Sequence, residues 1–229
     1  MADMTLNDDL IFRQIEIGPM ANFVYIIGSK ATREAAIIDP AWQVRDLVKI
    51  AEEDDLRITK ILVTHTHPDH VGGEFGGQSI EGVAELLDLC KAKVYVHKSE
   101  VPYFKSIPSS EIVSTDEHTS IDLGSTTIQF IHTPGHTPGS QCFKLSDRLV
   151  SGDTLFIGAC GRCDLPGSSP EDLYFSLTQK LMKLDEETIV FPGHNYTPPQ
   201  KSTTIGAEKA HNPYVRFPNK SAFLAAMGY

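Results

Sequence analysis

"ILVTHTHPDHVGGEF", from Ile61 to Phe75, gathers three histidines and one aspartate within six residues at the end of an apolar run. His65 and His67 are two apart, so in an extended segment both imidazoles point to the same side. Pro68 favours an extended conformation at His67 and is expected to delay any helix. Asp69 and His70 then follow on the far side of that turn and can face a different point. Gly72 and Gly73 leave the backbone free to pass close by. One short loop can thus serve two adjacent metal ions. So many ligand-capable side chains packed this closely, with nothing to bind, would be poor for stability.

Three more positions fit the same reading. His136 in "HTPGHTPGS", Asp153 in "VSGDTLF" and His194 in "FPGHNYT" each follow a β-rich run and stand beside glycine or proline. Such loops collect at one end of a sheet, where ligands commonly bind. Asp153, with two carboxylate oxygens, is suited to bridge two ions. His97, His118, His132 and His211 lack this context and read as ordinary histidines, with His132 the nearest to the pattern.

The chain around these loops has 229 residues, 41% hydrophobic and 22% charged, which fits a globular protein with a full core. No run approaches the ~18 apolar residues of a membrane helix. The start, "MADMTLNDDLIFRQ", is acidic where a secretory signal is basic, so a cytoplasmic location is expected. Net charge is −10 with no lysine or arginine block, which argues against a nucleic-acid partner. A small-molecule substrate is expected instead, with no membrane partner. Cys90, Cys142, Cys160 and Cys163 are too sparse for a disulfide scaffold. Cys160 and Cys163 form a C-x-x-C in a Gly/Pro-rich loop, read as plain loop thiols rather than a redox pair.

Short strands are expected in "DLIFRQIEI", "NFVYIIG", "EAAIID" and "RITKILVT", with a helix in "WQVRDLVKIAEEDD". Trp42 reads as a packing residue at that helix's start. A helix "IEGVAELLDLC" and a strand "KVYVH" follow, then strands in "TTIQFIHT", "QCFKLS" and "RLVSGD". "SPEDLYFSLTQKLMKL" reads as a helix with Ser169 at the N-cap and Pro170 at N1. A strand "ETIVFPG" and two helical stretches, about 200–210 and 219–228, close the chain. Pattern alone gives an α/β or α+β protein with sheets covered by helices.

"THTHPDH", "GHTPGS", "SGDTLF" and "PGHNY" resemble, in order, the successive motifs of the metallo-β-lactamase superfamily. The resemblance runs from about Asn22 to Tyr196. It implies an αββα four-layer sandwich over residues 1–229, read as one domain with a short C-terminal helical extension at about 198–229. It assigns His65, His67 and His136 to one metal ion, Asp69, His70 and His194 to a second, and Asp153 to the bridge. The ions would be zinc, with iron or manganese as alternatives.

The expected reaction is hydrolysis by a metal-bridging hydroxide, oriented by Asp69 and Asp153, that attacks an acyl carbonyl. A thiolate leaving group needs little protonation, which makes thioesters a natural substrate class. "GHNYT" is similar to the glyoxalase II pattern, in which Tyr196 and Arg162 would contact glutathione, so a hydroxyacylglutathione is the expected substrate. Glutamate commonly stands where Asn195 does, and aromatic residues where Cys163 and Asp164 do. The rival is a persulfide dioxygenase, whose "CGR-x-D" loop Cys160–Asp164 resembles. It would hold a single iron on His65, His136 and Asp153. A β-lactamase, a nuclease and a purely structural metal module fit less well. Substrate-pocket loops are expected in "KSEVPYFKSIPSSEIVSTDE" and "CGRCDLPGSSP", with Tyr103 and Phe104 as pocket walls or core.

Overall fold

Alternation along the strands builds two stacked sheets. The computed structural model describes residues 9–229; the reading of the chain's start as lacking a signal falls mostly on residues 1–8, outside the described residues. In chain order come β1 (Leu10–Ile17), β2 (Asn22–Ser29), β3 (Glu34–Ile38), α1 (Val44–Glu53), β4 (Arg57–Leu62) and α2 (Pro68–Val71). A hairpin of β5 (Gly73–Phe75) and β6 (Gln78–Ile80) precedes α3 (Val83–Leu89), β7 (Lys93–His97) and β8 (Ile112–Thr115). Then follow β9 (Ser120–Leu123), β10 (Thr126–His132), β11 (Gln141–Leu145), β12 (Arg148–Gly152), β13 (Leu155–Phe156) and β14 (Ala159–Cys160). The remainder is α4 (Pro170–Phe175), β15 (Ile189–Pro192), β16 (Thr203–Thr204), α5 (Ile205–His211) and α6 (Lys220–Ala226).

One six-stranded sheet has the order β1-β2-β3-β4-β7-β8 and the other β16-β15-β12-β11-β10-β9. In β2 every residue is buried, because its two faces serve different cores. Val24 and Ile26 pack outwards with Ala35, Ile37, Val44, Leu47 and Leu86, under α1 and α3. Phe23, Tyr25 and Ile27 point inwards to Phe130, Phe143 and Val150 of the second sheet. On that sheet Leu149 and Val190 face the other way, against Leu173, Leu177, Ile205 and Phe223 of the C-terminal helices. The layers are therefore helix, sheet, sheet, helix, as alternation of period two requires. No helix among the described residues is long and apolar enough to cross a membrane.

Four local expectations need correcting. Pro68 does not delay a helix: His67 is extended (φ −68°, ψ 144°) and α2 starts at Pro68, which sits at the first helical position where its missing N–H costs nothing. "IVST" within the expected pocket loop is β8, paired in parallel with β7 at the sheet's edge. Residues 200–204 are not helical; Thr203 and Thr204 pair with β15, and the Thr204 hydroxyl caps α5. The helix begun at Ser169, whose hydroxyl accepts from Asp172 N, widens to a π-turn over Ser176–Lys180 and tightens over Leu181–Lys183.

Candidate metal centre

The chosen side chains come together because each follows the C-terminal end of a strand. His65 leaves β4 and His136 leaves β10, while Asp153 and His194 leave the parallel neighbours β12 and β15. α2 turns Asp69 and His70 back towards them. The two sheets are tied at this edge by the Asn22–His194 bridge, with Phe23 N donating to Gly193 O and Asn195 N to Ala21 O. Gly193 is required here by close approach: a Cβ would stand 2.2 Å from Asp153 Oδ1.

Two clusters result. His65 Nε2 and His136 Nε2 each lie 3.0 Å from His67 Nδ1. His70 Nε2 lies 3.1 Å from His194 Nε2, and Asp69 Oδ2 is 3.4 Å from both. Asp153 spans the clusters, with Oδ1 3.4 Å from His70, and Oδ2 3.4 Å from His194 and 3.6 Å from His136. Ligand atoms ~2.0–2.1 Å from a tetrahedral ion are about 3.3 Å apart, so these separations suit one ion per cluster.

The hydrogen bonds behind the rings say what the clusters are for. His70 Nδ1 is 3.0 Å from Asp39 Oδ2, His194 Nδ1 3.0 Å from Met20 O, and His136 Nδ1 2.9 Å from Arg162 O. His65 Nδ1 meets the Thr64 hydroxyl, which itself donates to Asp39 Oδ2. Each of these acceptors assigns a proton to Nδ1 and turns Nε2 towards the cluster. Ring nitrogens therefore face one another at 3.0–3.1 Å, a spacing that a cation between them would satisfy. Asp153 Oδ1 adds a buried oxygen with no hydrogen-bond partner among the described residues. The donor set fits divalent metal.

Electrostatics divides the two halves. Burial pushes His65 well below its ordinary range, His70's charge adding to the effect, and burial followed by His136 brings His67 down to about 4. These rings stay neutral ligands at neutral pH. Burial works against protonation of His70 and His194 too, but Asp153 and Asp69 together outweigh it, raising His70 well above its usual value and His194 to about 9. Burial opposes ionisation of Asp69 and Asp153, yet both carboxyls are held well below the carboxylate range, chiefly by His70. In that half ionised carboxylates stand against protonated rings, and a divalent ion would take the place of those protons.

A cavity of about 310 Å³ opens on the clusters, and Arg162 and Tyr196 both line it. Tyr196 stacks on His194 at 4.8 Å and 6°. Arg162 is closed on Asp164 through two 2.6 Å hydrogen bonds at the surface. Tyr103 and Phe104 are not walls of this cavity: Tyr103 is exposed elsewhere, and Phe104 is buried in the core below α1 and α3. His97 and His132 stack on each other at 3.9 Å, outside the clusters, while His118 and His211 are exposed. Cys163 is buried, and burial pushes both Cys160 and Cys163 to about 12.

Sequence reasoning missed the support. Asp39 fixes His70 and accepts from both the amide and hydroxyl of Thr64. Asn22 donates to Asp69 O and Oδ2 at 3.0 Å, and Trp42 Nε1 donates to Asn22 Oδ1 at 3.1 Å. Trp42 is therefore more than packing. Asp39 had a signal, an acid ending an apolar strand in "AAIID"; Asn22 and Trp42 had none.

The chain belongs to the metallo-β-lactamase superfamily, whose family model matches residues 17–194. It is 30% identical over 203 residues to a probable polyketide biosynthesis zinc-dependent hydrolase, PksB, of Bacillus subtilis (strain 168), spanning 89% of this chain and 85% of that protein. Its fold matches the crystal structure of ETHE1 from Myxococcus xanthus with a TM-score of 0.82 and 32% identity, over 95% of this chain and 90% of that one. The crystal structure of TTHA1623 in a di-iron-bound form is similar too, with a TM-score of 0.73 and 30% identity, over 88% and 99% of the two chains. The chain thus stands among metal-dependent hydrolase-like proteins.

Proposed function

We propose that this member of the metallo-β-lactamase superfamily is a binuclear metal-dependent thioester hydrolase, with a hydroxyacylglutathione as the representative substrate. The observation that carries this reading is the pair of ring-nitrogen clusters joined by Asp153, whose Oδ1 is buried and without a hydrogen-bond partner among the described residues. His65, His67 and His136 would hold one ion, Asp69, His70 and His194 the other, and Asp153 would reach both. Bound there, two divalent ions, most readily zinc, supply an activated water at neutral pH and a Lewis acid for the acyl oxygen.

The chain's own residues position and exclude. Asn22 holds Asp69 Oδ2 by one hydrogen bond, which leaves its other lone pairs for the site. Apart from the cluster residues, Tyr196 is the one neutral proton donor lining the cavity among the described residues, and burial followed by Asp153 raises its phenol to about 12. A phenol raised that far gives up its proton less readily than an ordinary one, which favours a leaving group that needs no proton. A thiolate, with a conjugate-acid pKa near ~8.5, departs without one. Arg162, swung from Asp164, offers a two-pronged donor for a carboxylate of the leaving group.

The test is thioester turnover by metal-loaded protein. Hydrolysis that disappears on chelation, returns with zinc and is lost in Asp153→Ala supports the reading; turnover that survives chelation sinks it. The "CGR-x-D" loop favours one second reading, a persulfide dioxygenase with a single iron on His65, His136 and Asp153. Oxygen uptake on adding a persulfide, in protein inert to thioesters, would establish that instead.

A further inference from the structure

We infer that Phe75, at the tip of the β5–β6 hairpin, selects thioesters whose acyl group is more apolar than a hydroxyacyl group; the inference rests on the thioester reading and shifts its representative substrate. The hairpin directly follows α2, so it leaves from beside Asp69 and His70. Its strands pair Gly73 with Ile80 and Phe75 with Gln78. Gly76 and Gly77 make the turn with φ of +59° and +81°, the conformation two-residue hairpin turns need. Two three-residue strands have little stability alone, and only Ile80 of the six is buried. The base is nonetheless fixed: Gly72 packs so tightly on Gly82 that a Cβ would meet its backbone at 2.7 Å. A fixed base and a free tip carry a large aromatic ring at 49% exposure.

That ring does not face open solvent alone. Phe75 lines the same cavity as His67, Asp153 and His194, and Met20, Leu165 and Pro166 line it too. Arg162, the cavity's cation besides the histidines, is already closed on Asp164. The wall offered to a substrate beside the metal clusters is therefore mainly apolar. Arg162 and Tyr196 lie close enough for the guanidinium to act on the phenol, and both suit the leaving group. The other half of a thioester, its acyl group, is left to Phe75, which would bury its exposed face on hydrocarbon.

The experiment compares acetyl and hexanoyl thioesters of N-acetylcysteamine on the zinc-loaded enzyme, which removes any contribution from glutathione. The hexanoyl-to-acetyl ratio of kcat/KM should be ~10 or more in the wild type and fall at least ~5-fold in Phe75→Ala, through KM rather than kcat. Phe75→Leu, which keeps an apolar tip, should retain most of the ratio. An equal ratio in wild type and Phe75→Ala overturns the inference. A ketone isostere of the hexanoyl thioester, titrated calorimetrically, reads the same contact without turnover. Weaker binding to Phe75→Ala supports the role of Phe75 even if no thioester is hydrolysed, whereas equal binding overturns it. Failure of the thioesterase reading is thereby separated from failure of this one.

Discussion

Asp39 shows how much of a metal centre can rest on a residue that touches no metal. Its carboxylate holds His70 Nδ1 and receives the Thr64 amide and hydroxyl, the hydroxyl in turn orienting His65. Partners of this kind typically tune metal affinity ~10–100-fold. Asp39→Asn should therefore weaken metal retention by about that factor against a competing chelator, with the fold intact by circular dichroism; unchanged retention would deny Asp39 its part. A second expectation concerns thiols. Cys160 and Cys163 sit at about 12, chiefly through burial, so their thiolate fraction at pH 8 is about a thousandfold below that of a free cysteine near ~8.5. Raising a thiol's pKa postpones its ionisation, so alkylation should be slow at pH 8 and still climbing at pH 10. A plateau below pH 9 would contradict that environment. The seven candidate residues stand out in the chain because four crowd into "HTHPDH" and the other three each follow a β-rich run beside glycine, and the fold brings them together. Asn22 and Trp42 do not stand out, since their link to Asp69 exists only once β2, α1 and α2 meet.

At the scale of elements, local chemistry and tertiary context divide the legibility. The helix at Pro170 announced itself through Ser169, whose hydroxyl accepts from Asp172 N. Ser169→Ala should cost about 1 kcal/mol and lower Tm by ~2–4 °C, measured by calorimetry; an unchanged Tm would show the cap to be idle. β8 was hidden because four residues of an edge strand carry no periodicity of their own, and among the described residues it is paired only by β7. The β5–β6 hairpin was hidden for a different reason: glycines on both sides of "EF" read as loop, while the pairing of Gly73 with Ile80 is set by the packed base at Gly72 and Gly82. Gly193 links this scale to the site. A Cβ there would collide with Asp153 Oδ1 at 2.2 Å, so Gly193→Ala should displace the bridging carboxylate and cut hydrolysis by at least ~10², for a shift of about 1 Å is enough to do so. Wild-type turnover in that variant would mean Asp153 can be moved freely.

Across the whole molecule, periodicity gave a mixture of strands and helices but no layer order, because β2 and β3 read as continuous apolar runs whichever side they face. Stacking resolves them: Tyr25 and Ile38 meet the second sheet while Ile26 and Ile37 meet the helices. The metal residues come from both sheets, so ions bound between them would fasten one sheet to the other and add to folding free energy. The measurement that tests the account most directly is metal content per chain, on protein purified without oxygen and without added metal. Two clusters that share Asp153 predict about two divalent ions per chain, as in two-metal hydrolases, and a loss of both activity and Tm on chelation. About one iron per chain, with the Asp69, His70 and His194 cluster still empty under excess zinc, would contradict it.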